Sequence, residues 1–197
     1  MYGLQIVIGD SELTERKRLK SMLVKNGYGV IGEALDGIGA MKHIRGLQPD
    51  LAILDSQLPG QEVLDLWGIS AEDHLPPIIL TAPNSNKHII QKAKEGWVFG
   101  LLIKPIEEEQ MVATIEIAVA THQKLVNVDK EMEKLKYQLK ARKIIEKAKG
   151  ILMRAEGMTE EEAFQWLRQQ SMDKRKAMET VAEVIIFSHQ MKTDKRR

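Results

Sequence analysis

Five short apolar runs punctuate the first hundred residues: LQIVIG (4–9), YGVIGEA (28–34), DLAILD (50–55), PIILTA (77–82) and FGLLIKP (99–105). Most are apolar on both faces, the pattern of strands in a parallel sheet covered on two sides. Amphipathic stretches alternate with them. In SELTERKRLKSMLVKNG, Leu19, Met22 and Leu23 share one helical face and Gly27 supplies a stop. Strand–helix alternation on this period predicts an α/β domain, a doubly wound five-stranded parallel sheet. Its working site would lie at the carboxyl ends of the strands.

After Pro105 the pattern changes, and neither strand signals nor prolines recur. The last helix of the α/β domain is expected to begin near residue 106 and to run on without a break. Leu125, Val128, Met132, Leu135 and Leu139 then recur at spacings of three and four. That is the seam of a coiled coil about two heptads long, or the face of one helix packed on its own domain. The remaining residues predict a small three-helix all-α unit. Its first helix has Ile144, Ile145, Ala148, Ile151 and Leu152 on one face and stops at Gly157. Thr159, with Glu162 three residues on, is a capping box for the second helix. Ala163, Phe164, Trp166 and Leu167 supply the apolar positions of that helix. SMDK is expected to break it, with Ser171 or Asp173 capping a third helix marked by Met178, Val181, Ala182 and Ile185. The boundaries implied are 1–121, a connector over 122–135, and 136–197.

Composition adds limits. Over 197 residues, 43% hydrophobic and 29% charged content is that of a globular chain. No apolar run approaches a membrane span, and MYGLQIVIGDSE lacks the parts of a secretory leader. The absence of cysteine excludes a disulfide framework and fits a reducing cytoplasm. The five histidines show no metal-ligand spacing and are expected at solvated positions. Charge is uneven. Residues 136–197 carry 15 Lys and Arg against 9 Asp and Glu, while residues 106–135 carry 3 against 7. A basic carboxyl-terminal unit behind an acidic connector is the footprint of a polyanion binder, or simply a lysine-rich solvated surface.

Four polar residues stand where apolar strands end: Asp10, Asp55, Thr81 and Lys104. If they converge, two carboxylates suit a hard cation such as Mg2+. The hydroxyl and the ammonium would stabilise a phosphoryl group as charge develops, with an aspartate as nucleophile. IGDSE, LAILDSQLPG, ILTA and LIKPI, in this order and spacing, make residues 1–121 similar to the flavodoxin-like receiver domains of two-component response regulators. The resemblance implies that Asp55 is the phosphoacceptor and Asp10 a metal ligand, with the backbone carbonyl of Gln57 another. It implies that Thr81 holds a phosphoryl oxygen and that Lys104 pairs with the phosphoryl charge. Pro105 would follow a cis bond, and a sensor histidine kinase would be the donor partner. Two departures stand out. Gly9 replaces one of two adjacent acids, which implies weaker Mg2+ binding, and Leu101 replaces an aromatic residue, which puts a coupled Thr–aromatic switch in question.

KIIEKAKGILMRAEG (143–157) poses a further problem, since a glycine inside a helix costs about 1 kcal/mol relative to alanine. RKIIEKAKGILM, EAFQWLRQQSM and METVAEVII resemble the ANTAR domain, an RNA-binding antitermination module. This implies stem-loop RNA in nascent transcripts as partner. Ala148 and Gly150 would let nucleic acid or a helix backbone approach closely, and Gly150 could equally serve a close helix–helix crossing inside the bundle. Lys149 would place an ammonium there, since a lysine beside a packed glycine has no core use. Arg142 lies two turns before Lys149, and Arg168, Lys174 and Arg175 are further candidates for phosphates or exposed bases. Phe164 and Trp166 are expected in the core.

The sequence therefore reads as a cytoplasmic response regulator, not a metabolic enzyme, that dimerises on phosphorylation and grips RNA. Two rivals remain: a receiver that is never phosphorylated and is sequestered by a protein partner, and a DNA-binding regulator.

Overall fold

The computed structural model describes residues 3–60, 75–85, 87–95 and 98–194. Five strands, β1 (Gln5–Gly9), β2 (Gly29–Ala34), β3 (Leu51–Asp55), β4 (Ile78–Ala82) and β5 (Val98–Ile103), form one sheet in the order β2-β1-β3-β4-β5. Every neighbouring pair is parallel. All five predicted strands are present within two residues of their expected bounds. The residues of β3 and β4 are buried throughout, as interior strands of a doubly covered sheet require.

Two apolar layers flank the sheet. On one face Leu19 and Leu23 of α1 (Leu13–Lys25) pack with Met111, Ile115 and Ala118 from the long helix α4 (Glu108–Glu156). On the other, Ala40 and Ile44 of α2 (Gly37–Leu47) and Ala93 of α3 (Lys87–Glu95) cover Val7, Leu54 and Leu80. Asn26 ends α1 and Gly27 turns the chain with φ +83°, which a glycine adopts without a Cβ penalty. His122, expected at a solvated position, is half-buried. Its ring meets Phe99 edge-on with centroids 5.4 Å apart, and burial lowers its pKa despite a hydrogen bond to the backbone of Leu75.

The chain divides into two compact units, residues 1–126 and 127–197. The long helix is continuous from Glu108 to Glu156, so the expected unbroken run holds. In the second unit it ends before Gly157, at φ +71°. The Thr159–Glu162 capping box then opens α5 (Glu160–Lys174), as expected. α5 and α6 (Met178–Asp194) close a core of Ala148, Leu152, Ala163, Leu167, Val181 and Ala182.

Two expectations are corrected here. SMDK does not break α5; the helix runs through it to Lys174, and Arg175 ends it at φ 50°. The Ser171 hydroxyl donates to the carbonyl of Lys176, which stabilises the exit turn rather than capping a new helix. Phe164 and Trp166 are not core residues but are 38% and 37% exposed. Ala163 and Leu167, one turn apart, form the buried centre of this face of α5, and Phe164 and Trp166 flank it at the partly exposed edges.

Candidate functional site

The sheet order reverses between β1 and β3, and the polar strand-end residues gather at the carboxyl edge beside that reversal. Asp10 directly follows β1, Asp55 closes β3, Thr81 is the register partner of Asp55 on β4, and Lys104 follows β5. All four expected residues meet. The Lys104 ammonium donates to Asp10 Oδ2 at 2.7 Å and also pairs with Asp55. The Thr81 hydroxyl donates to Asp55 Oδ2 across a long 3.3 Å, and the Gln57 amide donates to Asp55 Oδ1 at 2.6 Å. Asp10, Asp55 and Thr81 are each at most 5% exposed. Burial opposes the Lys104 charge, but hydrogen bonds to the two aspartates outweigh it and hold its pKa above the ordinary lysine value. The Lys104–Pro105 bond is cis, as the resemblance implied.

One residue of this site was missed from sequence. Arg16 on α1 is buried, donates from Nη1 to the Asp10 carbonyl at 2.6 Å and pairs through Nε with Glu33 at 3.3 Å. It fixes the backbone that carries Asp10. The signal was available: Arg16 lies three residues before Leu19 and seven before Leu23, on the apolar face. Lys20 draws the Glu33 carboxyl below the usual carboxylate range at 2.6 Å, and Arg16 adds to this.

The donor chemistry fits Mg2+, since two buried carboxylates converge within reach of a single ammonium and hard oxygens are what that ion prefers. Asp10 and Asp55 would hold it, with the Gln57 carbonyl beside them in the loop. Among the described residues no third His, Asp or Glu joins them, so water would complete the shell. Gly9 is more than a missing acid. A Cβ there would lie 2.6 Å from Leu54 Cδ2 and 3.2 Å from Leu58 Cδ2, so leucine methyls fill that space.

In the second unit the candidate residues divide. Arg142, Arg168, Lys174 and Arg175 are exposed. Ala148 is fully buried in the core, which corrects its reading as an RNA contact: its methyl packs against α5 and α6 rather than facing outward. Among the described residues Gly150 serves no internal crossing: a Cβ there would meet only the Arg154 guanidinium, at 3.9 Å. Lys149 does have a structural use, contrary to expectation. It is 7% exposed, donates to Glu160 at 2.7 Å and pairs with Glu146 at 3.0 Å. Those two carboxylates, Glu160 first, hold its pKa above the ordinary value. Arg168 and Lys174 lie eight and fourteen residues beyond Glu160, about 12 and 21 Å along α5. The basic residues are thus spread over the unit.

An acidic cleft at the carboxyl edge of a 2-1-3-4-5 sheet, with a lysine between its aspartates, defines the receiver class. The family descriptions agree: the response regulator receiver domain matches residues 6–116 and the ANTAR domain matches residues 133–186. The chain belongs to the response regulators that join a receiver to an ANTAR domain, a regulatory rather than catalytic family. It is 32% identical over 182 residues to the Transcriptional regulatory protein PdtaR of Mycobacterium tuberculosis (strain ATCC 25618 / H37Rv), covering 92% of this chain and 89% of that protein. Among solved structures, the signal receiver domain of a modulated diguanylate cyclase from Desulfovibrio desulfuricans G20 aligns with TM-score 0.56 and 26% identity. The match covers 64% of this chain and 98% of that one. Chemotaxis response regulator CheY4 of Vibrio cholerae, at 21% identity and TM-score 0.52 over 58% of this chain and 97% of that one, shares the fold. No described helix is long and apolar enough to cross a membrane.

Proposed function

We propose that this protein is a cytoplasmic, phosphorylation-controlled RNA-binding antiterminator. The carrying observation is the Lys104 ammonium paired with both Asp10 and Asp55 at the carboxyl edge, with Thr81 on the same carboxylate. An Oδ atom of Asp55 attacks phosphorus, the donor's leaving atom (the imidazole nitrogen of a kinase phosphohistidine, or the carboxyl oxygen of a small acyl phosphate) departs with its bonding pair, and an acyl phosphate forms. Lys104 then exchanges a carboxylate for a phosphoryl oxygen, and the Thr81 hydroxyl turns to another. Bound Mg2+, held by Asp10, Asp55 and the Gln57 carbonyl, would neutralise phosphoryl charge. A sensor histidine kinase is the expected donor, and dimerisation the expected response.

Two output units in one dimer engage two RNA loops at once, and the second engagement gains from effective concentration. Arg142, Lys149, Arg168, Lys174 and Arg175 supply cations for phosphates. Gly150 supplies a side-chain-free surface on α4, and its open surroundings support contact with an outside partner rather than with the chain itself. Lys149 joins by exchanging Glu146 and Glu160 for RNA phosphate.

A second reading, a receiver never phosphorylated and held by a protein partner, draws support from the leucine-filled space at Gly9. A gel shift on tandem-hairpin RNA and duplex DNA, with and without a small phosphodonor and Mg2+, tests both. Phosphodonor-dependent binding to the RNA is expected. RNA binding indifferent to phosphodonor favours the sequestered receiver, and preference for duplex DNA overturns the output assignment.

A further inference from the structure

The excess positive charge of the second unit sits on one helix. Residues 136–155, all in α4, carry seven Lys and Arg against a single acid, Glu146, whereas residues 156–197 carry eight against eight. Lys149 is already paired with Glu146 and Glu160. Lys136, Lys140, Lys143 and Lys147 follow one another at steps of four, three and four, and Arg154 stands seven residues on, so all five share one helical face. Gly150 holds the intermediate position of that series. Ala148 and Leu152 turn the other side of α4 into the bundle core. The five cations are exposed, and among the described residues none is in an ion pair within the chain.

Like charges one turn apart destabilise a helix, and nothing on this face relieves them. An outside polyanion would. The rungs set its kind. They rise about 5.4 Å apart along a nearly straight axis, a step comparable with that between neighbouring phosphates of one nucleic-acid strand. A duplex strand winds away from such a line within a few base pairs, while an unpaired strand can follow it. At Gly150 the ladder lacks a side chain, and Arg154 Nη2 lies 3.9 Å from where a Cβ would stand. A base turned out of the strand fits that gap and can stack on the guanidinium. A lipid surface would have no use for it.

We infer that the face of α4 from Lys136 to Arg154 is a track for the phosphates of one unpaired RNA strand. Lys136, Lys140, Lys143 and Lys147 are its successive rungs, and Gly150 with Arg154 holds a turned-out base. This rests on the RNA-binding reading above and deepens it, by assigning the helix face that carries the strand and requiring the strand to be unpaired. The candidate cations on α5 lie in a part of the unit where acids balance bases, so they contribute local contacts and the track contributes the net attraction.

The test uses the full-length protein with acetyl phosphate and Mg2+ on tandem-hairpin RNA. Lys140→Gln with Lys147→Gln removes two rungs. Lys130→Gln with Lys134→Gln removes two exposed cations of the same helix that lie off the track. Glutamine is nearly as good a helix former as lysine, and circular dichroism checks the helicity of each variant. The rung pair should weaken binding on the order of tenfold and lower the slope of log affinity against log salt by about 1.4, two phosphates at the single-strand value. The off-track pair should change both far less. Because the chain has no cysteine, Lys140→Cys and Lys147→Cys can each carry a short photoreactive maleimide. Their cross-links should map about two nucleotides apart on one unpaired strand, since seven residues are two rungs. Failure of the wild-type chain to bind hairpin RNA overturns this inference together with the RNA-binding reading. Equal loss from the two charge pairs, cross-links confined to a paired stem, or a rung-pair defect on phosphatidylglycerol vesicles but not on RNA overturns the track alone.

Discussion

Lys149 donates to Glu160 across 2.7 Å and so ties the long helix to the first turn of α5. The lysine that the sequence singles out for RNA is already engaged with carboxylates. Any phosphate that takes it must displace Glu160 and Glu146. Both acids are largely exposed, so they can be re-solvated when they let go.

Glu160→Gln should therefore free the Lys149 ammonium and raise affinity for hairpin RNA at low salt. Glu161→Gln, the same charge change one residue on, should do so less. Lys149→Ala should lower both affinity and thermal stability. Binding titrations at several salt concentrations, with melting curves alongside, separate these outcomes. The salt slope should fall by about one unit in Lys149→Ala if one phosphate contact is lost.

The same pair gives a pH signature. Lys149 holds the Glu160 carboxyl below its ordinary value of 4.5. Its contribution to stability is fully present above that value and is lost as pH falls through the lowered one. Melting temperature followed from pH 6 down to about pH 3 should show an acid-side loss in the wild type that shrinks in Glu160→Gln.

Gly150 offers a test in which stability and function move oppositely. An added Cβ meets nothing closer than Arg154 at 3.9 Å, so Gly150→Ala should stabilise the helix by about 1 kcal/mol. If RNA approaches that surface, affinity should fall on the order of tenfold, equivalent to about 1.4 kcal/mol. Urea unfolding and a gel shift on the same preparation check both.

In the receiver, Asp55→Asn should abolish labelling by a small phosphodonor. Asp10→Asn should leave labelling possible but shift its Mg2+ requirement upward, because one of two carboxylate ligands is gone. Intact mass across a Mg2+ titration reads both. Hydroxylamine should discharge the phosphoryl group as inorganic phosphate and leave Asp55 as its hydroxamate, a mass distinct from both the phosphorylated and the unmodified chain.

Gly9 and Gly46 form an internal comparison. Gly9→Ala pushes a methyl into the Leu54 and Leu58 side chains, and overpacking of this kind costs about 1–3 kcal/mol. Gly46, inside α2, has nothing within 4 Å of an added Cβ. Gly46→Ala should stabilise by roughly 0.5–1 kcal/mol. Opposite shifts in urea midpoint are expected.

Local physics made much of this molecule legible from sequence. Runs such as LAILD and IILTA, short and bounded by turn residues, read as buried strands, and Asp55 and Thr81 near their ends marked the acidic cleft. Gly157, Thr159 and Glu162 fixed one helix end and the next helix start, because caps act on neighbouring backbone groups. Arg16 was missed although it sits on the face of Leu19 and Leu23, since a charge there has a meaning only once its partners are known.

The sequence by itself determined the strands, the long helix, the capping box and the list of groups at the strand ends, since periodicity and turn chemistry are properties of adjacent residues. Only the tertiary structure decided what those groups touch. It gave Lys149 to Glu160, put Ala148 in the core and Trp166 at its edge, left Gly150 open and set leucine methyls against Gly9. Such outcomes depend on which distant side chain reaches a site first, and no local pattern records that.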